Sequence, residues 1–244
     1  MLNVKVILLC VLTIVCATAV PALIWPPLTF LKSYAETLVT AADDLPMPVY
    51  KPRKQDSPRA RIGGQTRGAE TDTPVLIALV PDHVGFTIKN DPSLCWYISQ
   101  QTSKPVMFTV VDSRGIRPIL ERSLPTPVRA GIHCVRLRDY GVDLKEQEPY
   151  RWFVTLILNP NIPSQDIVAG GTIERIPFDE ACTLGMPCSW GACEREAIYR
   201  YADSGLWYDA VSCLVELIEH DQDKDTFHKI LDHLLKQSGV YLPS

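Results

Sequence analysis

Hydrophobic positions are concentrated near the middle of the chain in an aromatic and β-branched run at residues 149–158, which is too rich in such residues for a surface loop. The apolar side chains of this run cannot all face one side, so we predict a central strand whose two faces are both at least partly covered. Short apolar runs separated by turn residues surround it, at the spacing of an antiparallel β domain. The sequence therefore predicts strands at residues 75–80, 84–88, 94–99, 106–111, 118–122, 131–137, 150–158 and 167–175.

The period changes to a helical one after Pro177. We predict three helices, at residues 193–203, at 207–220, and from Thr226 to a point before Gly239. Gly205 would end the first helix as a left-handed cap, and Asp225 would be the N-cap of the third. A block of strands followed by helices favours an α+β fold, mainly β, with an antiparallel immunoglobulin-like β-sandwich followed by a C-terminal helical hairpin or three-helix segment.

The first 35 residues have the pattern of a targeting segment. Lys5 precedes an uncharged apolar run at residues 6–24, which is typical of a secretory signal peptide. The run is also close to the roughly 20 residues that span a bilayer, so an uncleaved membrane anchor is the alternative. Both interpretations predict that the rest of the chain is periplasmic or secreted.

Composition then divides the remainder into three parts. Residues 36–73 read as a Pro-rich basic linker, which is either a solvated tether or an arm that contacts a membrane or an acidic partner. Residues 74–177 form the predicted β-sandwich domain, and residues 178–244 the helical segment. The net charge of -4 at pH 7 does not favour nucleic-acid binding.

Six cysteines lie beyond the targeting segment, and an even number in an exported chain favours disulfides. Two of them lie on predicted strands, where they either form a disulfide or remain two free buried thiols. Three others lie close together in sequence where the strands give way to helices, and we expect one disulfide within this trio and a second that involves the last cysteine. The trio's spacing fits no zinc module. The strand pair is Cys95 and Cys134, the trio is Cys182, Cys188 and Cys193, and the last is Cys213.

No catalytic or cofactor motif is apparent. The five histidines make no recognisable catalytic set, and no serine lies in a Gly-x-Ser-x-Gly turn. A calcium-like series of aspartates lacks the glycine and the bidentate glutamate of its template, so we interpret it as an acidic helix N-terminus. That series is Asp221, Asp223, Asp225 and Asp232. We therefore expect no metal, no cofactor and no enzyme activity. A less favoured alternative is an envelope hydrolase that uses a cysteine of the cysteine-rich junction between strands and helices.

Residues 205–210, Gly-Leu-Trp-Tyr-Asp-Ala, resemble the turn of a tetratricopeptide repeat. One copy cannot form the concave surface of a repeat array, so we predict a helical hairpin docked on the sandwich or on a partner. Trp190, Trp207 and Tyr208 are our candidate partner-binding aromatics. For Trp207, packing between helices and sandwich is the competing interpretation.

The chain resembles a bacterial family known as domain of unknown function 928, over about residues 60–240. The resemblance rests on a series of segments and on their order along the chain. They are Arg61–Gly68, Ala78-Leu79-Val80-Pro81, Pro92-Ser93-Leu94-Cys95-Trp96-Tyr97, Gly131-Ile132-His133, Tyr150-Arg151-Trp152-Phe153, Asn159-Pro160 with Ser164, Val168-Ala169-Gly170-Gly171-Thr172-Ile173-Glu174-Arg175, and the 205–210 motif. The resemblance implies an exported envelope protein and supplies no activity and no catalytic residues.

These observations lead to two hypotheses of function. The first is a non-catalytic binding or scaffolding protein of the envelope, whose partner is an unknown envelope protein. The second is a carbohydrate or cell-wall binding module, because sandwiches often present aromatic side chains to sugars and the chain has five Trp and nine Tyr.

Overall fold

The computed structural model describes residues 46–53, 61–63, 73–115, 117–183 and 193–243. Within these ranges, eight strands form a three-stranded sheet with the order β1-β3-β6 and a five-stranded sheet with the order β2-β8-β7-β4-β5. The inner faces of both sheets contribute to one buried apolar core. The strands are β1 (Leu76–Ala78), β2 (Gly85–Thr87), β3 (Ser93–Ile98), β4 (Val106–Val111), β5 (Pro118–Ser123), β6 (Gly131–Arg136), β7 (Pro149–Leu156) and β8 (Ile167–Arg175).

Strand β7 occupies the centre of the larger sheet, as its composition predicts. Its side chains alternate strictly: every second one from Tyr150 to Leu156 is buried. The opposite face carries half-buried Phe153 and Thr155 and exposed Arg151. One face of the strand therefore lies in the core, while the other is covered only in part.

One strand pair departs from the antiparallel arrangement that we expected. β2 pairs with β8 in parallel, whereas the other pairs among the described strands are antiparallel. Parallel neighbours need a long crossover connection, and here most of the sandwich lies between the two strands in sequence. Alternation of apolar and polar residues cannot predict such a pairing. It indicates which face of the sheet a side chain lies on, but not whether the neighbouring strand runs parallel or antiparallel.

In the described residues after the sandwich there are four helices: α1 (Phe178–Thr183), α2 (Arg195–Asp203), α3 (Trp207–His220) and α4 (Lys224–Gln237). The spacing predicted α2 and α3, and Gly205 between them has the positive φ of +72° that a left-handed cap requires. α1 was not predicted. α4 begins before the predicted Thr226, so Asp225 lies in its first turn, where the helix dipole favours an acid.

The stretch at residues 47–53 is packed onto the helices, although it falls in the range that we interpreted as a linker. Tyr50 is only 7% exposed. Its backbone N–H donates to Gln237 Oε1 at 2.9 Å, and Gln237 Nε2 donates to the carbonyl of Pro48 at 2.9 Å. Lys51 N–H donates to the carbonyl of Ala202 at 3.1 Å. This part of the arm is therefore bound to α2 and α4.

In the ranges given above, no helix has the length and apolar character needed to cross a membrane. The predicted signal or anchor at residues 1–35 lies outside the described residues.

Candidate functional site

Cys95 and Cys134 form a disulfide between β3 and β6, with their sulfur atoms 2.00 Å apart. The two residues are directly opposite each other in the antiparallel register, and their Cα atoms are 4.1 Å apart. This confirms the first of the two interpretations for this pair. The bond fastens β6, an edge strand, to the centre of the smaller sheet.

A cavity of about 370 Å³ opens beside β6. It lies between that strand, the loop that precedes it and the 3₁₀ turn at Leu137–Tyr140. We call it the β6 pocket; its polar and aromatic lining consists of Trp96, Arg129, His133, Arg136, Asp139 and Tyr140. Its volume falls in the range of small-ligand sites.

The inner wall of the β6 pocket is a pair of stacked rings. Trp96 and His133 are opposite each other across β3 and β6, and their ring centroids are 4.9 Å apart. His133 Nε2 donates to the carbonyl of Arg129 at 2.7 Å, which leaves Nδ1 as the acceptor in the neutral ring. The sheet register thus fixes the position of the histidine, and the carbonyl of Arg129 in the preceding loop fixes the tautomer of the neutral ring.

Trp96 also supplies a donor without a partner. The residue is 1% exposed, and its indole N–H makes no hydrogen bond with any part of the chain that the structure describes. A buried unpaired donor destabilises a fold by roughly 1–3 kcal/mol. Such a group needs an explanation in a native structure.

The charged residues that line the β6 pocket have a positive balance. They are Arg129 and Arg136 against Asp139. Arg136 is only loosely paired, since its nearest carboxylate, on Glu219, is 3.9 Å away. The chain as a whole has a net charge of -4, so this site differs in sign from the rest of the molecule. Guanidinium groups match carboxylates in geometry as well as charge.

The predicted partner-binding aromatics of α3 are buried instead. The indole N–H of Trp207 donates to the carbonyl of Leu79 at 2.8 Å. The hydroxyl of Tyr208 accepts from the indole of Trp152 at 2.9 Å and donates to the carbonyl of Thr172 at 3.1 Å. Neither side chain offers a surface to a partner, which for Trp207 agrees with the competing interpretation of core packing. Trp190 lies outside the described residues.

The next residue of the same motif continues this pattern. Asp209 is fully buried and accepts a hydrogen bond from the backbone N–H of Ile88 at 3.1 Å. Gly85 leaves the space that Tyr208 occupies, since a Cβ there would lie 2.6 Å from the tyrosine ring. The motif at residues 205–210 therefore fastens α3 to the ends of several strands, and its residue types are explained by packing.

The remaining cysteines are described only in part. Cys193 and Cys213 are both free thiols, and the two side chains are in hydrogen-bonding contact. Cys188 and the side chain of Cys182 lie outside the described residues, so the expected disulfide within the trio stays a prediction.

Within the described ranges, no group of three or more His, Cys, Asp or Glu side chains could hold a metal ion. In the calcium-like series, Asp223 accepts from Arg195 at 2.8 Å and Asp232 accepts from Lys236 at 2.6 Å. These carboxylates thus take part in surface ion pairs of α2 and α4.

Sequence reasoning missed the β6 pocket, although one signal was present. In the predicted strand at 131–137, His133 shares the inward face with Val135. A polar ring on a face expected to be apolar marks a position that merits attention. The contribution of Arg129 and Tyr140 depends on the loop and turn geometry, which periodicity does not encode.

Comparison with protein families gives a match to the family described as Domain of Unknown Function (DUF928), over residues 62–241. A comparison with curated proteins gives no match. The matched range contains the β6 pocket, the Cys95–Cys134 disulfide and the motif at residues 205–210.

Proposed function

We propose that this chain, which belongs to the family described as Domain of Unknown Function (DUF928), is a non-catalytic binding protein of the cell envelope. Its ligand would be an acidic, extended peptide segment of a partner protein, held in the β6 pocket. The observation that carries the proposal is the pocket itself, in which two arginines adjoin an edge strand and Trp96, whose buried indole N–H is unpaired, forms part of the lining.

The position of β6 favours a peptide. The strand is the last in its sheet, so one side of its backbone has no strand partner in the described part of the chain. An extended peptide can add to such an edge through main-chain hydrogen bonds, while pockets select its side chains. The β6 pocket borders this edge and would receive an acidic side chain.

A carbohydrate ligand has less support. Sugars bind to the open faces of aromatic rings, but Trp96, Trp152 and Trp207 are each at most 1% exposed. One face of Trp96 is further covered by His133. Tyr140, which is 38% exposed, is the aromatic ring of the pocket lining most available for stacking. We therefore rank the carbohydrate module second.

The chemistry of the pocket lining supports a binding role rather than catalysis. Its described lining includes no serine or threonine, and the sulfur of Cys134 is held in the disulfide. His133 Nε2 already donates to a backbone carbonyl. A nucleophile paired with a base is the usual signature of covalent hydrolysis, and these residues do not form one.

The proposed compartment rests on two supports. The apolar run at residues 6–24 has the pattern of an export signal or an anchor. The Cys95–Cys134 disulfide is of the kind that persists in oxidising compartments.

The proposal can be tested with fluorescently labelled extended peptides that are acidic, neutral or basic, titrated with the purified protein and followed by anisotropy. We expect the acidic set to bind best. Arg129→Gln and Arg136→Gln should each raise the Kd by about fivefold, or roughly 1 kcal/mol, because each removes one charge-assisted contact. Added salt should weaken binding by the wild type more than by either variant.

Arg117→Gln is the matched control. Arg117 is an exposed arginine that does not line the β6 pocket, and its replacement should leave the Kd unchanged. Acidic oligosaccharides titrated in parallel separate the two ligand classes. Preferential binding of these sugars, or equal effects of all three arginine variants, would overturn the peptide proposal.

A further inference from the structure

Two thiols outside the β6 pocket lie against each other at the junction of the helices. Cys193 is half-buried just before α2, and Cys213 is fully buried within α3. Their side chains are in hydrogen-bonding contact, yet both are free thiols in this structure. Because the disulfide at Cys95 and Cys134 is formed, this second pair is distinct from it.

The two thiols have different surroundings. The contact with Cys213 and the nearby charge of Lys89 lower the pKa of Cys193, against the opposing effects of burial and of Glu216. The contact with Cys193 and burial raise the pKa of Cys213. Cys193 is half-buried and Cys213 is fully buried, so the sulfur of Cys193 is the one that an oxidant can reach. An accessible attacking thiol beside a buried resolving thiol is an arrangement that allows disulfide exchange.

We propose that Cys193 and Cys213 form a redox-active dithiol, which a disulfide-bearing oxidant converts to a second disulfide of the protein. In the first step the Cys193 thiolate attacks one sulfur of the oxidant, and the oxidant's other sulfur leaves as a thiolate. In the second step Cys213 loses its proton to solvent and attacks the Cys193 sulfur. The second oxidant thiolate then leaves. The protein dithiol loses two electrons, and the oxidant is reduced to two thiols.

A disulfide between Cys193 and Cys213 is one of several cysteine pairings that the sequence leaves open. Cys193 can join only one other sulfur, so a bond to Cys213 excludes a bond from Cys193 to Cys182 or Cys188. The bond would close the segment that contains α2 and the first half of α3. The redox state would then determine whether α2 is covalently tied to α3.

The test uses the full chain after mild reduction, with oxidised glutathione as the oxidant and peptide mapping by mass spectrometry as the readout. We expect the wild type to lose two thiols together and to yield a peptide linked through Cys193 and Cys213. Cys213→Ser should stop at a glutathione adduct on Cys193. Cys193→Ser should form no adduct at Cys213, because that sulfur is buried.

The double variant Cys182→Ser/Cys188→Ser is the control for competing pairings, and it should form the same linked peptide at an unchanged rate. Linkage of Cys193 to either of those residues in the wild type would overturn the proposal. So would a glutathione adduct on Cys193 that persists in the wild type while Cys213 remains a thiol. The wild-type map decides the matter even if a serine variant fails to fold.

Discussion

Asp209 gives the most specific test of how the motif at residues 205–210 is packed. Its carboxyl group is fully buried, with one oxygen accepting from the N–H of Ile88 at 3.1 Å and a further hydrogen bond from the hydroxyl of Thr87. The other oxygen, Oδ1, has no partner in the described ranges. Burial raises the pKa of Asp209 to about 6, while the charge of Lys89 acts in the opposite direction.

This shift in pKa implies a pH-dependent contribution to stability. From the ordinary value of 3.8 to about 6 is about two pKa units, and each unit corresponds to ~1.4 kcal/mol, which gives about 3 kcal/mol. The folded state holds the proton more tightly than the unfolded state does. The stabilisation is therefore complete below pH 3.8 and is lost as the pH rises to about 6.

The perturbation is Asp209→Asn, which keeps the shape of the side chain and an acceptor for Ile88 but cannot ionise. Both proteins are unfolded in urea at a series of pH values from about 4 to 7.5, and the two free energies of unfolding are subtracted. The difference cancels the titration of every other group. We expect the wild type to lose about 2.5 kcal/mol relative to the variant across this range, because part of the full effect is already lost at pH 4, and most of the loss should be complete by pH 6.

Asp232→Asn provides the control, since Asp232 is an exposed carboxylate on α4 whose removal should change stability by less than about 1 kcal/mol at any pH. A difference between wild type and Asp209→Asn that does not vary with pH would refute the reasoning. It would mean that the carboxyl group is as well solvated or hydrogen-bonded in the folded state as in the unfolded chain.

Three further changes test the packing around this motif and the smaller sheet. Tyr208→Phe should lower the free energy of unfolding by about 1–3 kcal/mol, because it leaves the buried indole N–H of Trp152 unpaired; an unchanged urea midpoint would contradict that bond. Replacing Cys95 and Cys134 together by alanine should cost about 4 kcal/mol by loop-closure entropy for a separation of 39 residues, and reductant should then have little further effect on that variant's urea unfolding. Gly205→Ala should lower stability by about 1–2 kcal/mol in thermal unfolding, because alanine strains a φ of +72°; a gain in Tm would be incompatible with the left-handed cap.

Much of the fold was predictable because its signals are local. The aromatic and β-branched composition of β7 and the apolar spacing in α3 are both properties of the element's own residues. The observed β4, β8 and α3 agree with the predicted bounds. The sequence also identified Cys95 and Cys134 as a candidate pair on strands. It could not decide whether they form a disulfide, because that depends on the register that places one opposite the other.

The rest depends on contacts between parts that are distant in sequence. Tyr50 is buried because its backbone meets Gln237 on α4, which no local pattern in a proline-rich stretch could indicate. The β6 pocket requires the opposition of Trp96 and His133 together with a loop that brings Arg129 beside them. The charge and the shape of that site appear only when the sheet is assembled.

The most conspicuous motif of the chain and its best candidate site are therefore different places. The Trp, Tyr and Asp of the motif at residues 205–210 each form a hydrogen bond to the sandwich. Packing and hydrogen bonding within the fold therefore explain their residue types. By contrast, no packing demand accounts for a buried Trp96 donor without a partner or for Arg129 and Arg136 around a cavity. Residues that folding explains are weak evidence of a ligand, and residues that it leaves unexplained are stronger evidence. The search for a partner should accordingly begin at β6, with α3 as the element that holds the sandwich and helices together.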